Sequence, residues 1–209
     1  MKKMLIVMLA LLLASTTLYA QNFAVGVRGG VALGVHQEAD AFMLESGDTK
    51  ELKINPNAAV YGAYMFTGNM GVQLEANVMI NQGTKFSNSG MTVEMTYTSL
   101  DIPVLFRFNF SFGLGIMAGP HISIPLGKLK MKASSGWLSL SGDVGDMTGF
   151  SFGATAGLFY GFPLGPGRLI ADLRFIFDFT AAKVKGGGIT LDFLKRRALA
   201  LTIGYEFRF

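Results

Sequence analysis

Apolar residues in this chain recur at every second position. Val72, Leu74, Ala76, Val78 and Ile80 are separated by Gln73, Glu75, Asn77 and Met79. Leu169, Ala171, Leu173, Phe175, Phe177 and Phe179 alternate with Arg168, Ile170, Asp172, Arg174, Ile176 and Asp178. Leu199, Leu201, Ile203, Tyr205, Phe207 and Phe209 alternate with Ala198, Ala200, Thr202, Gly204, Glu206 and Arg208. Successive side chains of a strand point to opposite faces, so each segment has one greasy face and one polar face. A period of 3.6 fits none of them. Eight segments read this way, at about 23–35, 57–67, 71–84, 94–108, 112–124, 150–162, 168–180 and 196–209.

The connections alternate in length. Short turns fall at Thr67–Met70, Asn109–Ser111 and Pro163–Gly167, and long connections at about 36–56, 85–93, 125–149 and 181–195. Each segment reaches the roughly 9–11 residues a tilted membrane strand needs. Short turns on one rim and long loops on the other describe an outer-membrane barrel. Lipid offers no partner to an open sheet edge, so the sheet must close. The expectation is therefore an all-β protein, an eight-stranded antiparallel up-and-down transmembrane β-barrel. Phe66, Phe108, Phe112, Phe162, Phe207 and Phe209 flank the short turns or the C-terminus, where an interfacial aromatic girdle belongs. A soluble eight-stranded barrel would bury the apolar face instead. Here the polar face is rich in glycine (Gly26, Gly30, Gly115, Gly119, Gly153, Gly157), which suits a narrow interior, while Phe and Leu suit lipid.

Composition agrees. Half of the 209 residues are hydrophobic and 15% are charged, against about 25% charge in soluble domains. Residues 1–20, MKKMLIVMLALLLASTTLYA, have a basic start, an apolar core and a small-residue end, the pattern of a secretory signal peptide cleaved after Ala20. That leaves 21–209 as the barrel domain and removes Lys2 and Lys3 from a formal charge of +4. The near-balance argues against a nucleic-acid partner. With no Cys, disulfides, a thiol nucleophile and a Cys-ligated zinc site are excluded; two His argue against a multi-His metal site, and no cofactor motif is present.

Two strands carry a resemblance. Tyr97-Thr-Ser-Leu-Asp-Ile-Pro-Val-Leu-Phe-Arg-Phe108 and Ala118-Gly-Pro-His-Ile-Ser-Ile124 are similar to strands of the PorT-like outer-membrane β-barrel family. The terminal Gly204-Tyr-Glu-Phe-Arg-Phe209 resembles the strand by which such barrels are recognised for assembly, which implies Tyr205, Phe207 and Phe209 as a signal to the barrel-assembly machinery. The family implies the outer membrane and no single activity; its namesake is linked to protein secretion.

By phase, the inward-facing charges are Arg28, Glu75, Asp101, Arg107, Arg168, Asp172, Arg174, Asp178, Glu206 and Arg208, five basic and five acidic. An eight-strand interior is just wide enough for side chains to fill it. Unpaired buried charges are costly, so these must pair. The expectation is a salt-bridged plug; the alternative is a narrow path for ions or small solutes. His121 and Ser123 are the only pair with a catalytic character, and resemble the His–Ser pair of outer-membrane lipid A deacylases. Both face the lumen by phase and no motif supplies an acid, so the protein is expected not to be an enzyme.

Outside the membrane, Lys128–Ser141 reads as a hairpin with Leu129, Met131, Trp137, Leu138 and Leu140 as an apolar side for an envelope or surface protein partner. The basic connection with Lys183, Lys185, Lys195, Arg196 and Arg197 is a candidate contact for lipopolysaccharide phosphates. Pro103 and Pro120 fall inside strands and are expected to mark bulges.

Overall fold

Eight strands close on themselves in the computed structural model, which describes residues 22–37, 49–51, 53–88, 91–135, 137–186 and 189–209. The leader at 1–20 and residues 38–48 of the first long connection lie outside these residues. The strands are β1 (Phe23–Gln37), β2 (Thr49–Glu51), β3 (Lys53–Met65), β4 (Met70–Asn88), β5 (Met91–Asn109), β6 (Leu114–Ser135), β7 (Leu138–Thr148), β8 (Ser151–Leu164), β9 (Gly167–Asp178), β10 (Ala182–Gly186) and β11 (Ile189–Arg208). The ring runs β1-β3-β4-β5-β6-β8-β9-β11 and returns to β1, every pair antiparallel. Val27↔Tyr205 sits in the closing register, and the Phe209 amide donates to the Phe23 carbonyl at 2.9 Å. No helix among the described residues is long and apolar enough to cross a membrane.

The alternation read from the sequence sets the faces. Leu201 and Ile203 of β11 and Val27 of β1 are exposed on the outer wall, and so are Leu74, Phe106, Ile116, Leu158, Leu173 and Phe175. Gln73, Glu75, Asn77, Asp101, Arg107, Asp172 and Arg174, on the other parity, are buried within. The faces are thus those of a barrel turned toward lipid. The aromatic rim assembles as paired rings: Tyr64–Phe66, Phe108–Phe110, Tyr160–Phe162 and Tyr205–Phe207 have centroids 5.7, 5.0, 4.4 and 4.7 Å apart. Their amphipathic rings mark the short-turn interface.

The connections read as long loops are largely strand, because their own alternation continues to pair beyond the belt. The 85–93 segment is the end of β4 and the start of β5. In 125–149, β6 leaves β8 and pairs with β7, from Ser123↔Ser151 to Lys128↔Asp146. Gly127, with φ of 81°, sits at this change of partner, in the left-handed region that side chains rarely adopt. In 181–195, β10 bridges β7 and β11.

The expected proline bulges do not occur. Ile102↔Ile122 and Pro103↔His121 share one register with Phe106↔Ala118. Pro120↔Ala154 likewise lies in an unbroken β6–β8 register. A proline removes a donor without adding a residue, so it can weaken a ladder and leave its count intact. The bulges lie instead at Met79/Gln82, Thr96/Thr98, Leu129/Lys130 and Ala182/Lys183.

Candidate functional site

Large inward side chains need space across the strand, and glycine supplies it. Tyr61 lies opposite Gly26 and Phe159 opposite Gly115. A Cβ on either glycine would stand 2.2 or 2.1 Å from the facing ring. His121 opposes Gly153, Arg174 opposes Gly157 and Arg28 opposes Gly204. The glycines of the polar face are the counterparts of the lumen's longest side chains.

These side chains form three tiers. Nearest the short turns, Glu206 accepts from Arg107 Nη1 at 2.7 Å, Arg168 Nε at 2.7 Å and Tyr61 Oη at 3.2 Å. The Arg107 guanidinium lies 4.5 Å from the Phe159 ring centroid, a cation–π contact. In the middle, Arg28 and Arg174 alternate with Glu75 and Asp172: Arg28–Glu75 2.6 Å, Arg174–Glu75 2.7 Å, Arg174–Asp172 2.9 Å and Arg28–Asp172 3.4 Å. Gln73 links the two tiers, accepting from Arg107 and donating to Glu75. In the upper tier, Arg196 donates to Asp101 at 2.8 Å, Gln82 at 2.9 Å and Asp178 at 3.2 Å.

Arg196 corrects the sequence reading. It was placed in the basic connection as a phosphate contact, yet it is 1% exposed in the lumen. Its parity with Ala198, Ala200 and Thr202 carried the signal. Arg208, placed inside by phase, is a rim residue: it bonds Glu206 at 3.2 Å while half its side chain stays exposed. The ladder ends there, so nothing covers it. With this exchange the interior, among the described residues, holds five arginines (Arg28, Arg107, Arg168, Arg174, Arg196) against Glu75, Asp101, Asp172, Asp178 and Glu206. Every one of these carboxylates has an arginine partner. Arg197, the neighbour of opposite parity, points outward over the Phe177 ring at 4.8 Å.

His121 donates or accepts at both nitrogens. Nε2 lies 2.7 Å from Asp178 Oδ1, and Nδ1 lies 3.1 Å from Thr155 Oγ1. The order of groups is that of an acid–base–hydroxyl relay, but the hydroxyl belongs to Thr155, not to Ser123. His121 is 2% exposed. The adjoining void, bounded by Asn57, Asn77, Asp101, Pro103, Thr155 and Arg174, measures about 10 Å³. That is about the room of one water molecule, and too small for any lipid ester. Asn57 and the Asn77 Oδ1, without protein partners, border it.

The hairpin of β6 and β7 divides the predicted apolar residues. Leu129 is buried with Tyr97, Met147, Ala182 and Val184, and Met131 is half-buried. Trp137, Leu138 and Leu140 are exposed at 95%, 62% and 75%. The opposite face carries Lys130, Lys132 and Ser139. Of the residues read as an assembly signal, Tyr205 donates to the Leu164 carbonyl at 2.6 Å while Phe207 and Phe209 are exposed.

A closed eight-stranded barrel with a lipid-facing wall and a charge-filled interior defines the class of the protein. The chain belongs to the family described as outer membrane protein beta-barrel domain, whose profile matches residues 19–182. No curated protein sequence matches the chain. Among solved structures it is similar to Ail, the attachment invasion locus protein of Yersinia pestis, in complex with the heparin analogue sucrose octasulfate. The identity is 18%, with 89% of this chain and 99% of that chain covered and a TM-score of 0.50. It is also similar to the outer membrane protein OprG from Pseudomonas aeruginosa, at 12% identity, 90% and 98% coverage and a TM-score of 0.49. At these identities the likeness concerns the fold. The protein is an outer-membrane β-barrel.

Proposed function

We propose that the protein is a plugged, non-enzymatic scaffold of the outer membrane, exported by the signal at residues 1–20, that presents its long-strand end to partners. The observation that carries this reading is the lumen: five arginines and five carboxylates interlock in three tiers, around a void of about 10 Å³. A buried ion-pair lattice on this scale fixes shape and fills a ring only wide enough for side chains. The exposed Trp137, Leu138 and Leu140 support the hairpin as the surface offered to an envelope or surface protein. The outward Phe207 and Phe209 support recognition of the last strand by the assembly machinery. The Tyr97–Phe108 and Ala118–Ile124 strands support a place within the PorT-like group.

The test is conductance across a planar bilayer, with insertion verified separately by the heat-dependent gel shift of the recovered protein. Silence is expected. Stable unitary steps that change when Arg174 or Asp172 is neutralised would overturn the plug and establish the narrow pore instead.

A further inference from the structure

Above the lipid-facing belt, three successive strand pairings shift register. The shifts lie between Met79 and Gln82 in the β4–β5 pairing, between Thr96 and Thr98 in β5–β6 and between Leu129 and Lys130 in β6–β7, and the extra residues fall in β4, β6 and β7. Asn81, inside the first, has φ of 52°. A bulge bends its strand and increases local twist. Beside these shifts lies a groove of about 560 Å³, lined by residues of β3, β5, β6 and β7 and by Asn81 of the β4 bulge. Gly142 lines it, and a Cβ there would meet nothing within 4 Å.

The groove is polar at the top and apolar at the bottom. Ile54, 63% exposed, forms its lower lip, and Leu126, exposed on β6, lies four residues below Lys130 on the same strand. Lys130 and Lys132 rise from β6 on one face, roughly 7 Å apart along the strand. Across the sheet, Lys130 pairs with Thr96 and Asp143, and Lys132 with Glu94 and Ser141. The two acids are already engaged by other lysines: Glu94 with Lys53, and Asp143 with Lys128 at 3.3 Å. Lys130 and Lys132 are exposed and have no ion-pair partner among the described residues.

We infer that this groove binds the phosphorylated headgroup of a lipid in the outer leaflet. The phosphate lies between Lys130 and Lys132, Ser141 and Thr96 offer hydroxyls beside it, and the acyl chains descend over Ile54 and Leu126. The site faces the bilayer at the height of the headgroups on the long-strand side. A free anion would gain the two lysines but nothing from the apolar lip. The groove is separate from Lys183 and Lys185 on β10.

The experiment is native mass spectrometry of the full-length folded protein in detergent, titrated with bis-phosphorylated lipid A, its dephosphorylated form, and inorganic phosphate. Wild-type protein should retain lipid A in preference to the dephosphorylated form. Loss of two charge-assisted contacts should weaken binding by about tenfold or more in K130A/K132A. K183A/K185A should bind as wild type. Both variants alter exposed side chains, and the heat-dependent gel shift verifies that they fold. Equal retention of the dephosphorylated lipid, or unchanged binding by K130A/K132A, overturns the proposal. Phosphate competing as well as lipid A overturns the lipid source and leaves an anion site. Loss of binding in K183A/K185A alone moves the contact to β10.

Discussion

Replacing Arg196 with alanine tests the lumen lattice at its most buried arginine. The guanidinium donates to Asp101, Gln82 and Asp178 at 2.8, 2.9 and 3.2 Å and lies 3.5 Å from His121 Nε2. At about 1.5–3 kcal/mol for a bond to a charged group, the two carboxylate bonds alone bring about 3–6 kcal/mol. The loss is not the full sum, because partners remain. Asp101 keeps Ser99 at 2.9 Å, and Asp178 keeps His121 at 2.7 Å and Ser151 at 3.3 Å. Breaking one member out of a buried pair typically costs about 3–5 kcal/mol, since a charge is left uncompensated. That is the expected destabilisation of R196A. Arg208→Ala removes a half-exposed arginine from Glu206, which keeps Arg107 and Arg168; it should cost about 0–1 kcal/mol. The assay is urea unfolding in detergent micelles, followed by the mobility difference between folded and unfolded protein on unheated gels. Adding D101N and D178N to R196M should restore most of the loss, because no charge is then stranded. An R196A cost below about 1 kcal/mol, indistinguishable from R208A, would refute the lattice as the source of stability.

Other outcomes follow from the same geometry. Leu201→Arg, on the outer wall near mid-strand, should destabilise the barrel in a bilayer by about 2–4 kcal/mol; a neutral effect in folding titrations into liposomes would mean the wall does not face lipid. Gly115→Val would drive a side chain into the Phe159 ring and away from Arg107; a cost of about 1–3 kcal/mol is expected from overpacking. The companion Gly142→Val, where a Cβ meets nothing within 4 Å, should unfold in urea as wild type.

The period of two determined a great deal. Because side chains alternate strictly, Glu75, Asp101, Arg107, Asp172, Arg174, Asp178 and Glu206 were assignable to one face before any pairing was known, and so were their lipid-facing neighbours. The ring of eight and the short-turn aromatic rim came from the same count. Parity says nothing of where a ladder stops. Arg208 has inward parity but sits at the last pair of the sheet, where no neighbour covers it. Arg196 has the same parity, and only the upward extension of β11 beyond its last pair with β9, still held to β1 at His36↔Arg196, made its position interior.

What the tertiary structure decided is partnership. Sequence spacing cannot tell which of five carboxylates meets which of five arginines, because Arg28–Glu75 and Arg107–Glu206 join residues far apart in the chain. Their contact is fixed by strand register and barrel closure. The same holds for Thr155 taking the place beside His121 that chain proximity suggested for Ser123, and for the groove that residues of β3, β5, β6 and β7 line together. Local alternation decides which way a side chain points, for the neighbouring Cα positions alone set it. Which side chain it meets depends on the shear of the closed sheet, a property of the whole ring.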